Sequence, residues 1–331
     1  MMFVLTLAAV LFLAWTLGRN NLSNLFGSAI GTRMLPFHVC VGTAGVCVLL
    51  GALISGEATT HNVSGLGYIT QLSDALLISI GAGAMMMLLS LCGVPASLTQ
   101  TTTGAYIGWN LFYGQTLPID LITKTFLAWI YTPLIAVFIA FILFRLLRLS
   151  LKKYPIRLFR RDSLILTGLL LIGGFSAYSF GANNIGSLIG PYITLHYFSE
   201  TALFFTACLG IGFGFLLADK RVIKTISSGM FPLSPTEALI AVLASAQTLF
   251  LFSSVELKNI LSALSLPSVP LVPVPLTCAV IGAIIGVAVA KGIDGLKLKI
   301  VGKVIISWLA APLGAGVLCY GFLWLCRLGG I

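Results

Sequence analysis

The chain has 331 residues, of which 58% are hydrophobic and only 8% charged, and its net charge is +10. Soluble domains carry about 25% charged residues, so this composition excludes a cytosolic enzyme. The basic residues fall in short clusters between apolar runs, which argues against a nucleic-acid partner. The seven cysteines lie in or beside apolar stretches without metal-ligand spacing, which excludes a secreted disulfide scaffold. The sequence predicts an all-α polytopic membrane protein.

Long apolar runs predict the spans, because a helix needs about 20 apolar residues to cross the hydrocarbon core. In chain order the runs cover residues 2–18, 37–55, 72–92, 123–147, 163–180, 199–218, 235–253 and 301–323. Two further apolar stretches, 93–113 and 271–290, are interrupted by Pro, Gly, Ser and Thr. Counted as crossings, they bring the expected total to ten spans.

The basic residues orient these spans, since cytoplasmic loops carry an excess of Lys and Arg. The most basic part of the chain lies between Arg145 and Arg161. Placing this part in the cytoplasm also puts most of the other Lys and Arg residues inside and leaves both termini outside. We expect a multi-pass protein of a prokaryotic plasma membrane, surrounded by lipid. The oligomeric state is left open, with a homodimer as one alternative.

Three motifs recur in the same order and predict two homologous halves. Residues 18–21 match 181–184, and Pro95–Thr99 matches Pro273–Thr277. The segment from Lys124 to Pro133 recurs from Lys303 to Pro312 with the same Lys, Trp and Pro. We expect a first membrane repeat at 1–147, a basic cytoplasmic linker at 148–161 and a second repeat at 162–331. Five spans in each half would give the repeats inverted topology, as in many secondary transporters.

Each half carries an Asn-rich segment and a Pro- and hydroxyl-containing segment inside apolar sequence. We expect both kinds of segment to break helices or form hairpins at the membrane midplane, where irregular backbone is tolerated only around a buried site or cavity. A helix that restarts after a break directs free N–H groups and its positive dipole end at that site. The candidate ligands of a small anion are Asn20, Asn21, Asn24, Ser97, Thr99, Gln100, Asn183, Asn184, Ser187 and Thr277, with Arg19 as a fixed positive charge. Alternatively, these amides and hydroxyls only join helices and Arg19 snorkels to an interface.

The same motifs resemble those of a known family. Gly18-Arg-Asn-Asn21 and Gly181-Ala-Asn-Asn184 are similar to the two Gly-Ala-Asn-Asp signatures of the inorganic phosphate transporter (PiT) family. The segments that begin at Pro95 and Pro273 resemble that family's Pro-Val-Ser-Thr-Thr-His. The resemblance covers about residues 16–315 and implies inverted repeats, a central oxyanion site and cation-coupled symport.

The departures from the family pattern concern charge. Asn21 and Asn184 stand where the family has aspartate, and Gln100 and Cys278 stand where it has histidine. In the family the carboxylates are tied to sodium, so their loss argues against sodium coupling of the usual kind. Phosphate keeps O–H donors near neutral pH, whereas sulfate only accepts hydrogen bonds and suits an amide N–H better than a carboxylate. This chemistry favours sulfate and fits the sulfate permease branch of the family.

We therefore expect a symporter, not an enzyme, that moves one tetrahedral oxyanion by alternating access. Uptake of a dianion against an inside-negative potential costs about 2.3 kcal/mol per charge per 100 mV, so co-transported protons are expected. The coupling candidates are Asp74 and the pair Glu57 and His61. No metal and no other cofactor is expected. A phosphate symporter with altered, non-sodium coupling and a channel-like anion uniporter remain open alternatives.

Overall fold

The computed structural model describes residues 2–153, 158–195, 197–266 and 269–329. Within these ranges the chain forms thirteen α-helices and one π-helical turn, Thr225–Gly229. The helices are α1 (Met2–Gly31), α2 (Phe37–Ser55), α3 (Glu57–Ser64), α4 (Leu72–Leu91), α5 (Leu98–Tyr113), α6 (Ile119–Lys153), α7 (Leu158–Ile193), α8 (Glu200–Leu216), α9 (Lys220–Lys224), α10 (Pro235–Leu251), α11 (Val255–Ala263), α12 (Leu276–Lys291) and α13 (Leu298–Leu328).

Five helices in the described part of the chain are long and apolar enough to cross a membrane. They are α2, α4, residues Ile119–Ser150 of α6, residues Asp162–Ile193 of α7, and α13. The pair α10 and α11, bent by 70° at its break, passes the same test as one broken span. The apolar helices α8 and α12 are shorter, with 17 and 16 residues. The all-α polytopic class is confirmed, but length and composition support five or six spans and not the ten predicted.

Each of the two interrupted apolar stretches begins with a helix break, as expected. Helix α4 ends at Leu91 and α5 begins at Leu98, and an irregular segment likewise precedes α12, which begins at Leu276. The Pro residues of both segments favour extended backbone and delay the start of each helix. Two buried helix N-termini result, one in each half.

The Asn-rich segments are not helix breaks, which corrects the sequence-based expectation. Helices α1 and α7 run through Asn20–Asn24 and Asn183–Ser187 without interruption. The Asn21 amide donates to the carbonyl of Leu17 at 3.0 Å, and the Asn184 amide donates to the carbonyl of Phe180 at 3.2 Å. An asparagine that bonds back along its own helix stays inside the helix instead of ending it.

Glycines allow the long helices to touch backbone to backbone. A Cβ on Gly18 of α1 would collide with the carbonyl of Ile211 in α8, and a Cβ on Gly181 of α7 would collide with the carbonyl of Val48 in α2. In lipid, helices gain little from burying apolar side chains against each other, so close packing of small residues takes over that role. The spacing from Gly18 to Gly181 equals the spacing from Val48 to Ile211, so the two contacts are equivalent.

The later helices show the same duplication. A Cβ on Gly104 of α5 would collide with the carbonyl of Pro312 in α13, and a Cβ on Gly282 of α12 would collide with the carbonyl of Pro133 in α6. The two glycines, and likewise the two prolines, are related by the offsets of the duplicated sequence motifs. Equivalent residues therefore make equivalent contacts, with each half packing its helices on those of the other. The opposite membrane orientation of the halves stays a prediction.

The predicted linker 148–161 coincides with the end of α6 and the start of α7. Its residues 154–157 lie outside the described residues. The division of the chain at 147 and 162 therefore stays a prediction.

Candidate functional site

The first turns of α5 and α12 form the centre of the candidate site. The Ser97 hydroxyl caps α5 by accepting from the Gln100 N–H at 3.4 Å and lies 2.9 Å from the Thr99 hydroxyl. Pro275 precedes α12 and provides no side-chain cap. The first N–H groups of a helix have no partner within it, and the helix dipole adds positive potential at that end. Two such ends in the interior of the protein suit a small anion.

The two helix ends meet through Gln100 and Cys278. The Gln100 Nε2 lies 4.0 Å from the Cys278 Sγ, and each residue is the third of its helix. The Gln100 Oε1 is buried and has no hydrogen-bond partner among the residues that the structure describes. An unpaired carbonyl oxygen in a dry interior costs about 1–3 kcal/mol, so this side chain is a group that a ligand or water would rearrange.

Asn20 and Asn183 hold the irregular segments that lead into these helix ends. The Asn20 Oδ1 accepts from the Ala96 N–H at 2.9 Å, and its Nδ2 donates to the carbonyl two residues earlier at 3.4 Å. The Asn183 Oδ1 accepts from the Val274 N–H at 2.8 Å, and its Nδ2 donates to the carbonyl two residues earlier at 3.5 Å. Each side chain satisfies a buried peptide donor and acceptor and thereby fixes where its helix starts. Both were predicted as anion ligands, and in this structure their polar atoms face backbone.

Asn21 and Asn24 form a short chain of amides one helical turn further along α1. The Asn24 Nδ2 donates to the Asn21 Oδ1 at 2.8 Å, while the Asn24 Oδ1 is buried without a partner in the described part of the chain. In the second half, the carbonyl of Ser187 accepts from the Thr102 hydroxyl of α5 at 3.2 Å. This bond connects α7 of the second half to α5 of the first half. The two Asn-rich segments thus flank the helix ends from opposite halves.

The site is closed to the surrounding solvent. All ten amide and hydroxyl residues predicted as ligands, Asn184 and Thr277 among them, are at most 4% exposed. A small cavity of about 10 Å³ lies beside them, bordered by Thr103, Ser187 and Val272, and holds about one water molecule at most. An anion can therefore reach this centre only when the helices around it move apart.

Arg19 was predicted to supply positive charge to the anion, but its guanidinium faces Asp219. The Arg19 Nη2 lies 3.5 Å from the Asp219 Oδ2, and the guanidinium carbon lies 5.6 Å from the centre of the Trp15 ring. Arg221 reaches the same carboxylate at 3.4 Å. Burial opposes ionisation of Asp219, but the hydrogen bonds from Arg221 and the charges of Arg221 and Arg19 together hold the pKa of its carboxyl below the ordinary value. The charge of Arg19 is therefore balanced locally.

The coupling candidates divide into a surface pair and a buried acid. The His61 Nε2 lies 3.8 Å from the Glu57 Oε1, with side chains that are 58% and 80% exposed. Asp74, in the first turn of α4, is buried and accepts a hydrogen bond from the Tyr113 hydroxyl at 3.0 Å. Of the three candidates, only Asp74 is buried.

Two buried carboxylates, Asp219 and Glu237, were missed by the sequence reasoning. Glu237 caps α10 together with Ser234 and lies 3.0 Å from the Lys291 Nζ at the end of α12. The spacing from Asp74 to Glu237 is the same as the spacing from Asn21 to Asn184. Applying the offset of the Asn motifs to the acidic residues would have found Glu237.

Comparison with known proteins agrees with this architecture. The sequence profile of the phosphate transporter family matches residues 17–166 and 158–259. A "Putative phosphate permease" of Methanocaldococcus jannaschii is 27% identical over 94% of this chain and 93% of its own length. The sulfate permease of Bacillus subtilis is 25% identical over 92% of this chain and 84% of its own length.

A solved structure shares the fold. The chain superposes on a sodium-dependent phosphate transporter with a TM-score of 0.79, covering 99% of both chains at 17% identity. The family profile covers well over half of the sequence, including both Asn motifs and the start of α5. The resemblance expected from the motifs is confirmed: this chain belongs to the phosphate transporter family.

Proposed function

We propose that this membrane transporter of an inorganic anion carries sulfate in preference to phosphate, together with protons, by alternating access. The observation that carries the substrate preference is the chemistry of the site. The buried polar residues of the duplicated motifs are amides, hydroxyls and one thiol, among them Asn21, Asn24, Asn184, Ser97, Thr99, Thr277, Gln100 and Cys278.

Neutral donors suit an anion that only accepts hydrogen bonds. Sulfate has no proton to donate near neutral pH, so every contact that it makes has to be a donor from the protein. Backbone N–H groups at the two helix ends and the amide N–H groups of Asn21, Asn184 and Gln100 are such donors. A carboxylate at the same depth would repel the dianion strongly, because the dry interior screens charge poorly.

Occupation of the site requires a rearrangement that the fold permits. The Gln100 side chain now faces Cys278, and turning it away frees both N–H-rich helix ends for the anion. The clamps formed by Asn20 and Asn183 would keep the two helix starts in place during this change. Opening towards one side of the membrane at a time would follow from movement of one set of helices against the other.

Coupling to protons follows from the energetics of a dianion. Entry of two negative charges against 100 mV costs about 4.6 kcal/mol, at about 2.3 kcal/mol per charge. Two co-transported protons make sulfate uptake electrically neutral. A third proton gives uptake a net positive charge, so that the inside-negative potential drives it. The basic loops would face the cytoplasm, where the proton is released.

Phosphate is the second candidate substrate. The "Putative phosphate permease" relative matches nearly the whole chain, as does the sulfate permease. A phosphate transporter with the same neutral site would bind the ion chiefly through its unprotonated oxygens.

The deciding experiment is uptake of labelled sulfate and labelled phosphate, side by side, by proteoliposomes that hold the full chain. An acid-outside gradient is imposed without sodium, and a protonophore serves as the control. We expect sulfate to accumulate and the protonophore to abolish accumulation. Accumulation of phosphate alone would overturn the substrate assignment. Flux that follows voltage without accumulation would identify a uniporter and overturn proton coupling.

A further inference from the structure

Two acid pairs occupy equivalent places in the two halves but differ in charge. In the first half Asp74 of α4 accepts from the hydroxyl of Tyr113, the last residue of α5. In the second half Glu237 of α10 contacts Lys291, the last residue of α12, at 3.0 Å. The two carboxylates, and likewise their two partners, are related by the offsets of the duplicated motifs. One half thus has a carboxylate with a neutral partner, and the other has an ion pair.

The two pairs respond differently to a proton. A proton on Glu237 would leave the ammonium of Lys291 without its counter-charge and would weaken the hydrogen bond that the carboxylate accepts from the Ser234 N–H at the start of α10. A proton on Asp74 breaks no ion pair with Tyr113, because a tyrosine hydroxyl can donate to a carboxylate and can accept from a carboxylic acid. The Asp74–Tyr113 pair therefore keeps one hydrogen bond in both protonation states, which is what a reversible proton site at a buried position needs.

The surroundings of Asp74 leave a path for protons. Asp74 lines a cavity of about 450 Å³ together with Gln71, Asn110, Tyr113 and Gln115, and a cavity of that size and polarity holds water.

Other ionisable groups reach this region from the described parts of the neighbouring helices. Helix α13 contributes Cys319 and Arg327, both within electrostatic reach of the pair. Helix α7 contributes Tyr192, whose hydroxyl donates to Ser79 of α4. Helix α1 brings Arg19 to α4 near the opposite end of that helix, at Met87.

Helix α5 connects this pair to the anion site. Its first turn carries Thr99 and Gln100, and its last residue is Tyr113. The helix has 16 residues and is therefore a rod of about 24 Å at 1.5 Å per residue. A change in the position of Tyr113 relative to Asp74 moves the same rigid helix that presents its N-terminus to the anion.

We infer that Asp74 is the carboxylate that binds the co-transported proton, that Tyr113 links its protonation to α5, and that the Glu237–Lys291 pair is a fixed ion pair. This inference rests on the proposed function. The carboxylate takes a proton from a hydronium ion in the cavity, so that one O–H bond of hydronium breaks while one forms on Asp74 and a water molecule is left. After the transporter has opened to the other side, that O–H bond breaks again and the proton passes to a water molecule, which forms hydronium.

The test compares two assays on the full chain in proteoliposomes. The first measures accumulation of labelled sulfate driven by an acid-outside gradient. The second measures exchange of labelled for unlabelled sulfate at equal pH, which needs no net proton movement. We expect Asp74→Asn to lose gradient-driven accumulation and to keep exchange at a rate comparable with the unmodified protein. We expect Asp74→Glu to retain accumulation and Tyr113→Phe to shift its pH profile.

The paired change Glu237→Gln with Lys291→Met is the matched control, because it removes the equivalent pair of the other half. We expect this variant to keep gradient-driven accumulation. Gradient-driven accumulation by Asp74→Asn would overturn the inference. Loss of both accumulation and exchange in that variant would also overturn it, because such a loss indicates a structural role. If the unmodified protein accumulates only phosphate, the sulfate assignment fails while the same two assays with phosphate still test Asp74. If it accumulates neither anion, the proposed function and the inference fail together.

Discussion

The Gln100 Nε2 lies 4.0 Å from the Cys278 Sγ, and these two residues hold equivalent positions in the two halves of the chain. Each is the third residue of a helix whose N-terminus lies in the interior of the protein. The contact therefore lies at the interface between the two duplicated halves. It also places two neutral side chains between two positive helix ends, which is the arrangement on which the proposed anion site rests.

Replacement of Asn21 by aspartate should weaken sulfate transport. The change replaces an amide donor with a buried negative charge, and a hydrogen bond to a charged group is worth about 1.5–3 kcal/mol. We expect kcat/KM for sulfate uptake to fall about 10- to 100-fold, since about 1.4 kcal/mol corresponds to a factor of ten. Asn259→Asp adds the same charge at an exposed position of α11 and serves as the control. Unchanged sulfate uptake in Asn21→Asp would contradict the acceptor-only argument.

Replacement of Asn20 by alanine should destabilise the start of α5. The change leaves the Ala96 N–H and a carbonyl buried without partners, at a cost of about 1–3 kcal/mol for each group. We expect a lower Tm in detergent and loss of uptake, and Asn183→Ala should behave alike because its bonds to the segment before α12 are equivalent. Asn259→Ala should leave Tm unchanged. Equal Tm values for Asn20→Ala and the unmodified protein would show that the clamp is dispensable.

Replacement of Gly104 by alanine should loosen the packing of α5 on α13. The added Cβ collides with the backbone carbonyl of Pro312, and overpacking of this kind costs about 1–3 kcal/mol. Gly321→Ala in α13 is the matched control, since a Cβ there meets no atom within 4 Å. A thermal unfolding series should place Gly104→Ala well below Gly321→Ala. Equal unfolding temperatures would show that α5 and α13 readjust without cost.

Cys278 should report on the opening of the site. Cys278 is fully buried, whereas Cys92 is exposed. We expect a small charged thiol reagent to modify Cys92 rapidly, and to modify Cys278 only slowly, as the site opens, and more slowly still when bound sulfate covers it. Mass spectrometry of the labelled peptides measures both rates. Labelling of Cys278 that sulfate accelerates would place the anion elsewhere.

The ion pairs of Asp219 should stabilise the protein at neutral pH. The pKa of this carboxyl is lowered in the folded state, so its stabilisation is complete above the ordinary carboxyl pKa and is lost as pH falls through the lowered value. We expect Asp219→Asn to lower Tm near neutral pH and the difference to shrink at acid pH. A difference in Tm that grows on acidification would reverse the sign of the argument.

Much of the fold could be predicted because its determinants are local. Long apolar runs predict membrane helices whatever their neighbours are, and Pro in the segments before α5 and α12 breaks a helix by removing an N–H donor. Duplication was visible for the same reason, since the repeated Trp and Pro of α6 and α13 stand at a constant offset. The number of spans was less predictable, because the sequence does not show whether short or bent helices such as α8, α10 and α12 cross the whole membrane.

The roles of single polar residues could not be predicted in this way. Asn20 and Asn21 are neighbours in the sequence, yet Asn20 bonds to the segment before α5 and Asn21 bonds back along its own helix. An amide offers the same donor and acceptor in both places, and the backbone that happens to approach it decides which bond forms.

By itself, the sequence determined the membrane class, the helix breaks before α5 and α12, the duplication and the neutral chemistry of the central motifs. These features depend on residue type and spacing alone. Only the tertiary structure decided that Gln100 faces Cys278, that Arg19 pairs with Asp219, and that Tyr113 donates to Asp74. Those contacts join residues far apart in the chain, and they form because two packed halves bring the ends of different helices together.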